Sequence, residues 1–139
     1  MLRNPEKTLG ALIDKCSIAQ ICYVDKECFP VTRAMLKPRE RNGLREFYFT
    51  TNTSSEKVSA LKSKPKASIY FVDRRFFRGV SLAGVAEIME DAATKERIWR
   101  DGDEQYYSKG VTDPDYCVIK VTVQKGRYYS NFKLTDFTV

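Results

Sequence analysis

The chain contains no histidine. That absence removes Ser-His-Asp and Cys-His catalysis, a histidine-ligated haem and Cys/His zinc fingers. Cysteine is scarce as well. Cys16, Cys22, Cys28 and Cys117 include no C-x-x-C pair, and the spacing of the first three matches no zinc pattern. They are expected to be free thiols of a cytosolic protein, with no metal site. No window approaches the ~18 uninterrupted apolar residues of a membrane span. Arg3, Glu6, Lys7, Asp14 and Lys15 break up the N-terminal segment, so it has no secretory apolar core. A cytoplasmic protein without membrane contact is expected.

The 139 residues suit one compact domain, 1–139. Apolar residues make up 42%, and eight Phe, eight Tyr and one Trp supply bulk for a core, which argues against disorder. The charge is +6, an attraction for anions in general. The cations cluster at Lys37, Arg39, Arg41 and Arg45, at Lys57, Lys62, Lys64 and Lys66, and at Arg74, Arg75 and Arg78.

Pro5 at a first-turn position and the spacing of Leu9, Leu12 and Ile13 predict a helix over 5–15. Residues 17–24 and 29–36 predict a β-hairpin across Asp25-Lys26-Glu27. A loop is expected over 38–44 and a strand over 45–51. Thr53 and Glu56 fit a capping box, with Thr53 as N-cap of a helix carrying Val58 and Leu61 and ending before Pro65. Strands follow at 67–73 and 79–89, the second with Gly84 as a bulge or bend. A helix is expected over 92–107 with Ile98 and Trp99 on its buried side, then a hairpin of 116–123 and 127–132 about Gln124-Lys125-Gly126. The tally is six to seven strands and three helices, mainly β (α+β). Short connections favour an antiparallel barrel with helices outside.

Three features could build a phosphate site. Arg33 and Lys37, four apart, lie on and just after a strand. Thr50, Thr51 and Asn52 lead into a helix N-terminus, where free amide groups and the helix dipole favour an anion. Lys57 lies in the first helical turn, where a cation opposes that dipole. Each has a plainer explanation: Arg33 or Lys37 as a solvated strand residue, Thr53 and Glu56 as a ligand-free helix cap, Lys57 as a side chain turned to water.

The run FPVTRAMLKPRERNGLREFYFTTNTSSEKVSALKSKPKASIYFVD resembles the core of the flavin-binding split-barrel superfamily, which holds the pyridoxamine 5′-phosphate oxidases and general-stress-protein-type flavoproteins. The likeness extends through FFRGVSLAGVAEIMED and DPDYCVIKVTV, covering residues 16–129. It implies a homodimeric split barrel with flavin mononucleotide (FMN) in a groove between subunits; FAD or a deazaflavin stay open. By the same resemblance Arg33, Ala34 and Met35 would line the isoalloxazine and ribityl chain. Thr50 and Thr51 would bind the ribityl-phosphate end, and Ser55 and Lys57 the phosphate, with Lys37 as a further basic contact. The oxidase pattern has arginine where this chain has Glu56, a glutamine is replaced near Arg78-Gly79, and the tail lacks an Arg-x-His segment. The resemblance therefore implies an FMN-dependent oxidoreductase with an unidentified small-molecule substrate, and not a pyridoxamine phosphate oxidase proper. A flavin carrier or sensor is the first alternative. The second is a basic barrel stacking nucleic-acid bases on Tyr48, Phe49, Phe76 and Phe77.

Overall fold

The structure is a computed structural model and describes residues 3–139. Helix α1 (Pro5–Lys15) starts where Asn4 accepts from the Lys7 amide, and it buries Leu9, Leu12 and Ile13. Strands β1 (Ile18–Val24) and β2 (Pro30–Leu36) form the expected hairpin. β3 (Glu40–Asn42) and β4 (Glu46–Asn52) follow, then α2 (Glu56–Ser63), β5 (Lys66–Asp73), β6 (Arg78–Met89), α3 (Ala92–Ile98), β7 (Tyr116–Ser130) and β8 (Lys133–Thr138).

The eight strands make one antiparallel sheet in the order β2-β1-β5-β6-β7-β4-β3, with β8 on the other half of β7. The sheet curls until β2 and β4 approach without pairing, which leaves a barrel split along that seam. Alternate residues face inward, so Ala19, Ile21, Tyr23, Met35, Phe47, Phe49, Ile69, Phe71, Val80, Leu82, Ile119 and Val121 fill the barrel with the apolar sides of α1 and α2. A second cluster lies outside it, where Tyr48, Ile98, Tyr107, Tyr116 and Val118 pack beneath α3.

Gly84 is the bulge. The register of β6 against β7 shifts between Ala83 and Gly84, and a Cβ there would lie 1.9 Å from the Thr122 carbonyl oxygen. Only hydrogen fits at that approach.

Four sequence expectations need correction. The count is eight strands, because the expected loop at 38–44 contains β3, paired to β4 from Glu40↔Tyr48 to Asn42↔Glu46. The expected helix at 92–107 stops at Ile98. Trp99 turns to extended backbone and packs edge-on against Tyr116, and the chain continues through 3-10 turns at Asp103–Gln105 and Gly110–Thr112. The final hairpin does not turn at 124–126. β7 runs straight through, and Gly126 is small there because the Phe137 ring lies over it, 2.4 Å from where its Cβ would be. The turn falls at Asn131-Phe132, both at positive φ (50° and 63°), as a tight two-residue hairpin requires. Finally, the N-cap of α2 is Ser55, not Thr53, and its side chain caps nothing; Glu56 turns away to accept the Tyr23 hydroxyl at 2.7 Å.

Arg39 ties the excursion between α3 and β7 to the barrel. Its guanidinium donates to both oxygens of Asp103 at 2.8 and 2.7 Å, and the Arg100 amide donates to the same carboxylate at 2.9 Å. The pair is nearly buried, with side-chain exposures of 13% and 4%. Burial pushes the Asp103 carboxyl up, but these donors outweigh it and hold it below its ordinary value.

Two outcomes follow for chemical denaturation. Asp103→Ala strands a buried guanidinium and is expected to cost about 3 kcal/mol, whereas Asp103→Asn, which keeps one acceptor, should cost less. Gly84→Ala forces the β6–β7 backbones apart at the bulge and should cost about 2–3 kcal/mol.

Candidate functional site in the barrel seam

The seam is a consequence of strand lengths. β3 covers only Glu46 to Tyr48 of β4, so Phe49 to Asn52 have β7 on one side and no strand on the other. β2 is hydrogen-bonded only to β1, and every second residue turns its N–H and C=O away from that partner. Two half-satisfied backbones therefore face a common cleft. Its end is closed by the turn into α2, which Asp115 pins by accepting from Asn52 Nδ2 at 2.9 Å and the Ser54 amide at 2.7 Å.

Lys57 is the central charge. It sits in the first turn of α2 and is 8% exposed. Burial pushes its ammonium pKa down, and the nearby Arg33 guanidinium pushes it further the same way. Among the described residues Lys57 makes no salt bridge with a carboxylate. Two cations thus share the cleft, and neither is in a salt bridge among the described residues. Just before Lys57, the Ser55 hydroxyl oxygen is buried with no hydrogen-bond partner among the described residues, and Thr53 Oγ1 is likewise unmatched. The Val58 amide donates to the Ser55 carbonyl at 3.1 Å, while the Glu56 and Lys57 amides at the start of α2 have no preceding turn to accept from them. A buried cation, an orphaned hydroxyl and free helix amides are the donor set of a phosphate group, and they fit one.

The eight candidate residues are brought together only in part. Arg33, Ser55 and Lys57 converge, and Thr51 and Met35 face the same interior, each 7% exposed. Ala34 turns to the opposite face of β2, so only its backbone is available to the seam. Thr50 points out of the barrel toward the Tyr107 hydroxyl, on the far side of β4 from Thr51. Lys37 donates to the Asp14 carbonyl at 3.2 Å, at the end of α1. Sequence reasoning missed Tyr23, whose hydroxyl joins Glu56 beside Arg33, and Asp115.

Several of the other basic residues are engaged in ion pairs. Arg41 pairs with Asp14, Lys62 with Glu90 and Arg78 with Asp73. Of the four residues named for base stacking, Tyr48 and Phe49 are buried at 8% and 1% exposure, while Phe76 and Phe77 are 59% and 75% exposed. No helix among the described residues is long and apolar enough to cross a membrane.

A family model described as pyridoxamine 5′-phosphate oxidase like matches residues 4–137. Among solved structures, the chain is similar to a protein from Clostridium acetobutylicum related to general stress protein 26 of B. subtilis, of the pyridoxinephosphate oxidase family. That similarity has 34% identity, a TM-score of 0.91, and covers 100% of this chain and 97% of the other. A pyridoxamine 5′-phosphate oxidase-related, FMN binding protein from Nostoc punctiforme shares the fold at 11% identity and TM-score 0.76, over 99% and 97% of the two chains. So does a heme binding protein from Mycobacterium smegmatis, at 18% and 0.77, over 99% of this chain and 59% of that one. No curated protein matches the chain.

The uncompensated charge has a measurable consequence. Because the folded-state pKa of Lys57 is depressed, the unfolded chain binds more protons between that value and the ordinary ~10.4, and stability rises with pH through the window. Lys57→Met should therefore be more stable than the parent at pH 7 and should lack that rise, as read from urea melts at pH 7 to 10.5. The same substitution should weaken inorganic phosphate binding by at least about tenfold, or ~1.4 kcal/mol.

Proposed function

The chain belongs to the pyridoxamine 5′-phosphate oxidase-like family, and on that premise we propose that it binds FMN in the seam between β2 and β4. The observation that carries this reading is the unpaired, buried Lys57 beside the unsatisfied Ser55 hydroxyl, facing Arg33. Those donors, with the first amides of α2, hold the terminal phosphate. One phosphate's worth of donors favours a mononucleotide. The free edge of β2 from Arg33 to Met35 supplies backbone groups along the cofactor, and Thr51 lies at its phosphate end. Lys37 and Thr50 are left outside the assignment, because Lys37 is engaged at α1 and Thr50 turns toward Tyr107.

The function proposed is that of an oxidoreductase acting on a small molecule. When bound, the isoalloxazine supplies the hydride chemistry. The chain's own residues bind and orient it. Arg33 and Lys57 neutralise the phosphate, and Met35 and the barrel interior exclude water from one side. The histidine-free composition is compatible with this division of labour. Haem is the less suitable occupant, since the usual imidazole ligand is missing from the chain.

A homodimer completes the proposal. The outer face of β2, β1 and β5 leaves apolar side chains in water: Ile18 and Leu36, opposite one another, are 54% and 48% exposed, with Tyr70 and Val72 beside them. Phe76 and Phe77 extend the surface at the β5–β6 turn. A contiguous apolar sheet face of this kind is the mark of an interface, and a second copy is the occupant proposed.

Reconstitution tests all three statements. The purified protein is expected to bind FMN, with flavin bands that survive desalting, and to behave as a dimer by light scattering at micromolar concentration. Oxidation of reduced nicotinamide or deazaflavin by the loaded protein supports the oxidoreductase; flavin held without turnover supports a carrier. A colourless protein that rejects added FMN overturns the reading, and a monomer overturns the dimer.

A further inference from the structure

Tyr23 is almost wholly buried, yet its hydroxyl reaches the carboxylate of an exposed residue, Glu56, at the start of α2. It lies on the inner face of β1. The register Ile21↔Arg33 and Tyr23↔Val31 places it one diagonal step from Arg33 on the same face. Diagonal neighbours in an antiparallel pair stand roughly 7–8 Å apart, a span that a phenol and a guanidinium cover between them. The hydroxyl donates its single proton to Glu56 Oε2 at 2.7 Å. Its oxygen is then left with lone pairs only, and Arg33, which carries donors and no acceptor, lies against it.

The phenol donates to Glu56, so toward Arg33 its oxygen can act only as an acceptor. Arg33 itself lies on an exposed edge strand and has no carboxylate partner among the described residues. A long side chain in that position loses rotamer freedom on gripping a ligand unless something already holds it. Glu56, one residue before Lys57, stands where the related oxidases carry an arginine, and its charge would repel phosphate. Bonded to Tyr23, it turns from the cleft and becomes the anchor of the relay.

We propose that Tyr23 is a positioning residue of the anion site: locked by Glu56, its hydroxyl holds the Arg33 guanidinium turned toward Lys57, so that two cations converge on one phosphate. This inference rests on the phosphate reading of the seam.

The test is a double-mutant cycle on FMN affinity, with inorganic phosphate as a second probe, followed by calorimetry. Tyr23→Phe keeps the ring and is expected to weaken binding about tenfold, the scale of one lost charge-assisted hydrogen bond. Arg33→Met weakens it further. The double variant should bind no more weakly than Arg33→Met alone, within about twofold, because Tyr23 acts only through Arg33. If Tyr23→Phe costs the same with and without Arg33, or costs nothing, the proposal is overturned.

Glu56→Ala, at the surface end of α2, gives a second cycle should Tyr23→Phe fail to fold. It relieves repulsion in either background but releases the lock only where Arg33 is present. It should thus be less favourable to binding with Arg33 than without, by about threefold or more. Equal effects in the two backgrounds overturn the proposal. A parent protein that binds neither FMN nor phosphate refutes the seam reading and this inference with it. Parent binding with additive cycles refutes the role of Tyr23 alone.

Discussion

The hydrogen bonds that β2 and β4 do not make with one another govern everything else in this molecule. A fully closed barrel satisfies every backbone group and leaves no entry. Here β3 is three residues long and stops short of the C-terminal half of β4, while β2 ends the sheet on the opposite side. The seam between them is lined by backbone donors and acceptors that still need partners. It also ends where α2 begins, so the first amide groups of that helix open into the same cleft.

Placing Lys57 there carries a cost. An ammonium removed from water and set near a guanidinium is disfavoured in the folded state, and the lowered pKa records this. The fold tolerates the charge because stability is drawn from elsewhere: the filled barrel, the aromatic cluster under α3, and the forked pair of Arg39 and Asp103. In the proposed flavin site a dianionic phosphate would offset that cost.

Part of this was legible in the residues. Pro5 with the leucine spacing marked α1, Pro65 marked the end of α2, and Gly84 marked the bulge, because each acts through local sterics. Arg33 and Lys57 were read as candidate phosphate donors by residue type, and Ser55 through the family resemblance. Errors arose where a local signal had a tertiary competitor. Thr53 and Glu56 have the spacing of a capping box, but Tyr23, distant in sequence, captures the carboxylate. Gly126 resembles a turn, yet it is small to admit Phe137. The helical pattern after Ala92 continues past Trp99, but the indole packs against Tyr116 and Arg39 claims Asp103. Thr50 and Thr51 were treated as a unit, although alternate residues of a strand face opposite ways.

Taken alone, the residue order determined the hairpin of β1 and β2, the start of α1 and the end of α2 set by proline, and the absence of histidine chemistry. These depend on neighbours along the chain. The tertiary structure alone decided that the barrel stays open between β2 and β4, that Lys57 is buried with no salt bridge among the described residues, and that Tyr23 bridges Glu56 and the region of Arg33. Those are matters of register and closure, in which strands far apart in sequence decide what each side chain meets.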